Sequence, residues 1–237
     1  MTDPAPGQAM LAVKHRGLLT VGIMGAMIMQ ILDTTIANVA LPHMQTSLGA
    51  TMDSVTWVLT SYIVASAIAI PATGWLSGRF GSRNLFLVAV ASFIVASMLC
   101  GIAVSLEEMV LFRVMQGIAA AFINPLSQTA MLDINPPERQ AKAMAVWGMG
   151  VMIGPIMGPV LGGWLTENYN WRWVFYVNVP VGLLTLGILW ALLPSRPKQT
   201  RSFDMMGFAM ISIASSHSIS TSLSSLRSSG FVSRSFP

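Results

Sequence analysis

Two charged side chains sit where a bilayer would make them expensive. Asp33 lies inside the apolar run 17–41, and Arg113 lies inside the run 109–131. A charge at the centre of a membrane costs at least about 2.5–3.5 kcal/mol, so each needs a reason. At 1.5 Å of rise per residue, Asp33 is roughly 12 Å from the far end of its run and Arg113 roughly 6 Å from the start of its own. If the two runs cross in opposite senses, both charges fall in the same half of the membrane, with the amides of Asn38 and Gln116 beside them as a shared polar cavity. The chemistry open to this set is loading and release of a proton. Burial drives a carboxylate toward its neutral form, and an approaching guanidinium drives it back toward the charged one. Two structural readings stand beside it: a static ion pair locking two helices, and an Asp reaching for the nearer interface. Glu107 and Glu108 read as solvated loop charges.

A second pattern is steric. In the run 142–165, Gly150, Gly154, Gly158 and Gly162 recur at every fourth position, followed by Gly163. Four-residue spacing lays small residues along one helix face, where a neighbouring backbone can approach closely. Pro155 and Pro159 each remove an amide donor from the same helix and predict a kink. The 18 Met read as packing or lipid-facing residues, and His43 as a loop residue. There is no HExxH, no GxxxxGK[ST] and no paired-cysteine ligand set, and the only cysteine is Cys100. The residues therefore support no catalytic group, no metal and no cofactor, and the chain is not expected to be an enzyme.

The elements that must position these residues follow from composition. Of 237 residues, 54% are hydrophobic and only 9% are charged, with mean hydropathy +0.65. A soluble domain carries roughly 25% charged residues, so the expected solvent is lipid. The apolar runs 17–41, 55–76, 85–104, 109–131, 142–165 and 171–193 predict six transmembrane helices in an all-α membrane protein. Lys14, Arg16, Arg79, Arg83, Arg139, Lys142, Arg196, Lys198 and Arg201 fall at one end of these runs; Arg172 alone falls at the other, beside Asp53, Glu107, Glu108 and Glu167. The positive-inside rule puts the N-terminus in the cytoplasm, and the net charge of +4 is accounted for by these loops without nucleic acid.

Four segments result: a cytoplasmic arm, 1–16; a six-span bundle, 17–193; a cytoplasmic loop and the start of a seventh span, 194–214; and a tail, 215–237, with 11 Ser in 23 residues. Such a tail cannot bury enough apolar surface to order itself. A seventh span begun and abandoned predicts a reading-frame change near Ala214, with a native Ser-rich tail as the alternative.

The motifs now on the page resemble the N-terminal half of major facilitator superfamily exporters, most closely the EmrB/QacA-type drug:proton antiporters with fourteen spans. The resemblance covers about residues 15–214. Its first-span signature is LDTTIANVALP, 32–42; its fourth-span motif is LFRVMQG, 111–117; its fifth-span antiporter motif is 150–163; and WLTENYNWRWVF, 164–175, follows the same branch. The loop GWLSGRFGSR, 74–83, is similar to the superfamily's cytoplasmic gating loop through Gly74, Arg79, Gly81 and Arg83, although Gly78 stands where an acid is usual. The resemblance implies a proton-coupling role for Asp33 and Arg113. It further implies export of hydrophobic or amphiphilic small molecules across the bacterial inner membrane, powered by the proton gradient rather than a cofactor, with a periplasmic adaptor and an outer-membrane channel as partners. Since this fold rocks two bundles against each other, one bundle alone is expected to be inactive. The alternative is a non-transporting six-span scaffold or interaction protein in the lipid bilayer.

Overall fold

A computed structural model describes residue 13 and residues 15–195, and every regular element among them is a helix. Span one is α1 (Arg16–Ser47). Span two is broken into α2 (Met52–Val55), α3 (Trp57–Ala69), a 3-10 turn (Ile70–Ala72) and α4 (Thr73–Phe80). Span three is α5 (Ser82–Ile102), span four α6 (Leu106–Asp133) and span five α7 (Pro137–Asn168). Span six is α8 (Trp173–Tyr176) continued by α9 (Asn178–Leu192). These six are long and apolar enough to cross a membrane. The start of a seventh span and the Ser-rich tail lie outside the described residues, as do Lys14, Arg196, Lys198 and Arg201.

Several helices overrun their apolar segments because they end at caps, not where hydropathy falls. Span one continues through Pro42 to Ser47. Span five begins at Pro137, where the missing amide would have had no helical partner. Thr51 and Ser54 form a reciprocal capping box at the start of span two. Ser105 accepts the amide of Glu108 at the start of span four, while Glu108 accepts the amide of Val104. Glu107 and Glu108 thus occupy a first helical turn, where negative charge meets the helix dipole, and both stay exposed. Gly81, at φ 89°, turns the chain from span two into span three, a conformation that a Cβ would penalise. Arg172, the lone basic residue at its end of the bundle, donates to the carbonyls of Gly101 (2.9 Å) and Ala103 (2.5 Å), closing the last turn of span three.

Span one is central, packing against spans four, five and six; span four packs in turn against spans two and three. Two apolar clusters fill the bundle. One, toward the Arg79/Arg83 end, contains Leu19, Ile23, Phe86, Phe93 and Ile123. The other, toward the acidic end, contains Ile36, Met44, Val58, Met109 and Phe175. The buried polar side chains of Asp33, Ser97, Arg113, Gln116 and Asn178 come together between them.

Candidate functional site

The junction is a closed knot of hydrogen bonds from spans one, two, three, four and six. Arg113 Nη1 donates to Asp33 Oδ2 at 2.6 Å and to Gln116 Oε1 at 2.8 Å, and its Nε donates to the carbonyl of Val58 at 3.0 Å. Both side chains of the pair are fully buried. The other carboxylate oxygen, Oδ1, accepts from Gln116 Nε2 at 3.0 Å and from Asn178 Nδ2 at 2.7 Å. The same two amide nitrogens donate to Ser97 Oγ, at 3.2 and 3.0 Å. The Ser97 hydroxyl donates to the carbonyl of Phe175 at 3.0 Å. The guanidinium lies over the ring of Tyr62, 4.6 Å from its centroid, and also faces Phe175. The Tyr62 hydroxyl accepts from Gln30 Nε2, and the Cys100 thiol approaches Gln116 Oε1 at 3.7 Å.

The local sequence explains how these groups meet. Arg113 and Gln116 are three residues apart, so they share a face of span four and converge on one partner. Gly117, beside them, lets span four touch the backbone of Tyr62, since a Cβ there would collide with that carbonyl. Charge-assisted bonds offset the desolvation of both ions only when their remaining valences are filled. Here both oxygens of Asp33 are engaged. Arg113 keeps one amine, Nη2, buried without a partner, so the guanidinium has donors in reserve if the carboxylate is neutralised.

The structure brings Asp33, Arg113 and Gln116 together, but Asn38 does not join them. Five residues along a helix is a rotation of roughly 140° from Asp33, and Asn38 is exposed. Asn178, Ser97 and Tyr62 supply the polar neighbours in its place. A search for intramembrane charges passes over them, because a neutral amide or hydroxyl costs less in lipid than an ion. The signal available was an Asn within the sixth apolar run.

The fifth-span pattern divides in two. Gly150, Gly154, Gly158 and Gly162 are buried against span one. Cβ atoms there would meet, in order, the ends of Met24 and Met27, the side chain of Ile31, Thr35, and the Ile36 backbone with Val39. Gly163 is outside this seam, with open space where its Cβ would point. Pro155 and Pro159 are exposed on the other side of a helix that continues through both. The expected gating loop 74–83 is helical except at Gly81: Gly74, exposed with open space where a Cβ would point, and Arg79, exposed over Trp75 and Phe80, lie on α4, and Arg83 lies in the first turn of α5. Arg83 donates to the carbonyl of Trp190 at 2.6 Å, at the C-terminal turn of span six.

Six helices long and apolar enough to cross a membrane, gathered around a fully buried ion pair, define the class: a multi-span membrane protein. The profile of the Major Facilitator Superfamily matches residues 23–233, and the chain belongs to that superfamily. It is 47% identical over 196 residues to the multidrug export protein EmrB of Haemophilus influenzae, covering 82% of this chain and 38% of the relative. It is 45% identical over 175 residues to the fatty acid resistance protein FarB of Neisseria gonorrhoeae, covering 74% and 34%. The xylose transporter XylE from E. coli, in a partially occluded inward-open conformation, matches with a TM-score of 0.68 at 15% identity over 76% of this chain and 49% of that one. That likeness is one of fold. The chain thus spans less than half the length of each. The profile match runs past Ser215, so its end does not coincide with the change in composition there.

Proposed function

We propose that this chain supplies the first bundle of a proton-coupled exporter of hydrophobic or amphiphilic compounds, with Asp33 as the proton carrier and Arg113 as its exchangeable counter-ion. The observation that carries the reading is the Asp33–Arg113 pair at 2.6 Å with both side chains buried. A proton on Asp33 removes the charge that holds Arg113, and the freed guanidinium must find acceptors elsewhere in the bundle. Alternating access then requires a second bundle to move against this one around a midplane site. The similarity to EmrB, named as a multidrug export protein, supports drug-like substrates. The superfamily match and the bacterial relatives support a place in the bacterial inner membrane, and the charge asymmetry of the loops supports the basic end of the bundle, and the N-terminus, facing the cytoplasm. On this reading the chain is not an enzyme, and a periplasmic adaptor with an outer-membrane channel would complete the path. The Arg79/Arg83 segment would gate the cytoplasmic side, and the glycine face of span five would seal it.

Proton-dependent efflux from cells lacking their own pumps tests the proposal. A full-length protein carrying this bundle should export a dye-type substrate, and its Asp33→Asn variant should not. Residues 1–237 alone should match empty vector. Efflux by 1–237 alone, or unchanged efflux in Asp33→Asn, would overturn the reading. A six-span scaffold without transport would give no efflux in either form.

A further inference from the structure

We propose that Asn178 is a positioning residue that steers the arriving proton to Oδ2 of Asp33, the oxygen held by Arg113, so that protonation and loosening of Arg113 are one event. The consequence rests on the proton-coupled reading above; the geometry does not. A carboxylate oxygen has two in-plane acceptor sites. On Oδ1 both are taken, by Asn178 Nδ2 at 2.7 Å and Gln116 Nε2 at 3.0 Å. On Oδ2 only one is taken, by Arg113 Nη1. The vacant site of Asp33 is therefore on the oxygen that Arg113 holds.

Ser97 fixes the orientation that makes this so. Its single proton goes to the carbonyl of Phe175, so toward Asn178 and Gln116 it can only accept. Both amides must then present their NH2 groups, and each NH2 spends one hydrogen on Ser97 and the other on Oδ1. An Asn178 turned end for end would set its oxygen against two acceptors. Asn178 is 2% exposed, so bulk solvent does not relieve that conflict.

The step is a plain protonation. A hydronium ion gives up one O–H bond and leaves as water, a new O–H bond forms at Oδ2, and Asp33 becomes a neutral acid with its carbon skeleton unchanged. A hydroxyl oxygen next to a cation is a weaker acceptor than a carboxylate oxygen, because charge assistance is lost, so Nη1 loosens from Oδ2 while its existing bond to Gln116 Oε1 remains. If Asn178 were removed, Oδ1 would gain an open site. A proton taken there would leave Oδ2 a carbonyl still bonded to Arg113, and loading would no longer imply release. The titratable groups near Asp33 are Arg113 from span four, Tyr62 from span two and Cys100 from span three. Span five carries its charges only toward its ends, at Glu138, Arg139, Lys142 and Glu167, and span six has none from Trp173 to Leu192.

Infrared difference spectroscopy of residues 1–237 in lipid nanodiscs, acid minus neutral, tests the assignment without any transport. The protonated Asp33 band is identified by its loss in Asp33→Asn. With the proton on Oδ2, the C=O oxygen is Oδ1, lowered in frequency by two amide donors. Asn178→Leu should move or split this band, upward where the proton stays on Oδ2 and the Oδ1 carbonyl has lost a donor, and downward where it enters the freed site on Oδ1 and leaves a carbonyl held by Arg113. Asn178→Ala, which adds no bulk, should do the same and keeps the test alive if the leucine variant does not fold. A band unmoved in a helical variant would overturn the proposal, as would no Asp33 band at any pH where the wild-type chain stays helical. A shifted band without efflux in the full-length protein would retain this assignment and remove the transport reading; efflux with an unmoved band would do the reverse.

Discussion

Span one faces two neighbours in opposite ways. Toward spans four and six it presents Asp33, whose contacts are directional: hydrogen bonds from Arg113, Gln116 and Asn178. Toward span five it presents Met24, Ile31, Thr35 and Val39 to a row of glycines, and complementarity of shape decides the contact. Only Thr35 adds a polar touch, its hydroxyl lying 3.2 Å from the Gly154 carbonyl. The knot holds two opposite charges in named hydrogen bonds. The seam has no titratable member and resists anything larger than hydrogen. One helix thus joins a hydrogen-bonded ion pair to a seam fixed by shape, and changes on either side should fail differently.

The largest expected effect is at the knot. Asp33→Leu leaves Arg113 buried without a counter-charge, which costs on the order of 3–5 kcal/mol; the variant should lose helical signal at markedly lower temperature and show no efflux in a full-length protein. Arg113→Lys should fold but transport at the empty-vector level, because an ammonium cannot hold Asp33, Gln116 and the Val58 carbonyl in one fork. Wild-type efflux in Arg113→Lys would mean that charge alone suffices there.

At the seam the loss should be of transport with insertion spared. Gly158→Leu drives a side chain into Thr35 and the span-one backbone, and efflux should fall to background while membrane levels persist. Gly158→Ala should cost about 1–3 kcal/mol by overpacking, whereas Gly163→Ala, facing open space, should be close to neutral. Equal thermal stability of those two alanine variants would remove the seam from the account.

The smallest effect belongs to Asn38. Since it is exposed and stands away from Asp33 on the helix, Asn38→Ala should leave the infrared band of Asp33 in place. A moved band would bring Asn38 back into the polar set.

How much of this was legible beforehand differs between the two faces. Asp33 and Arg113 were visible because charge in an apolar run is costly, and the glycine row because its four-residue period is regular. Helical phase was the weaker guide. Asn38 lies near Asp33 in sequence but not on its face, and Gly163 and the two prolines share a motif with the seam glycines without sharing their side of the helix. Asn178 and Ser97 were hidden because they come from distant spans, and only packing shows that they meet at one carboxylate. The role of Arg172 was equally hidden. As a charge it was an exception to the loop pattern, and its bonds to the end of span three supply the reason.

The most direct test of the central claim is proton movement driven by substrate. In proteoliposomes of a full-length protein carrying this bundle, an outward substrate gradient should drive proton movement across the membrane, and Asp33→Asn should abolish that movement while still binding substrate. Proton movement at the wild-type rate in Asp33→Asn would contradict the account, because the buried pair would then be a structural lock and not the coupling site.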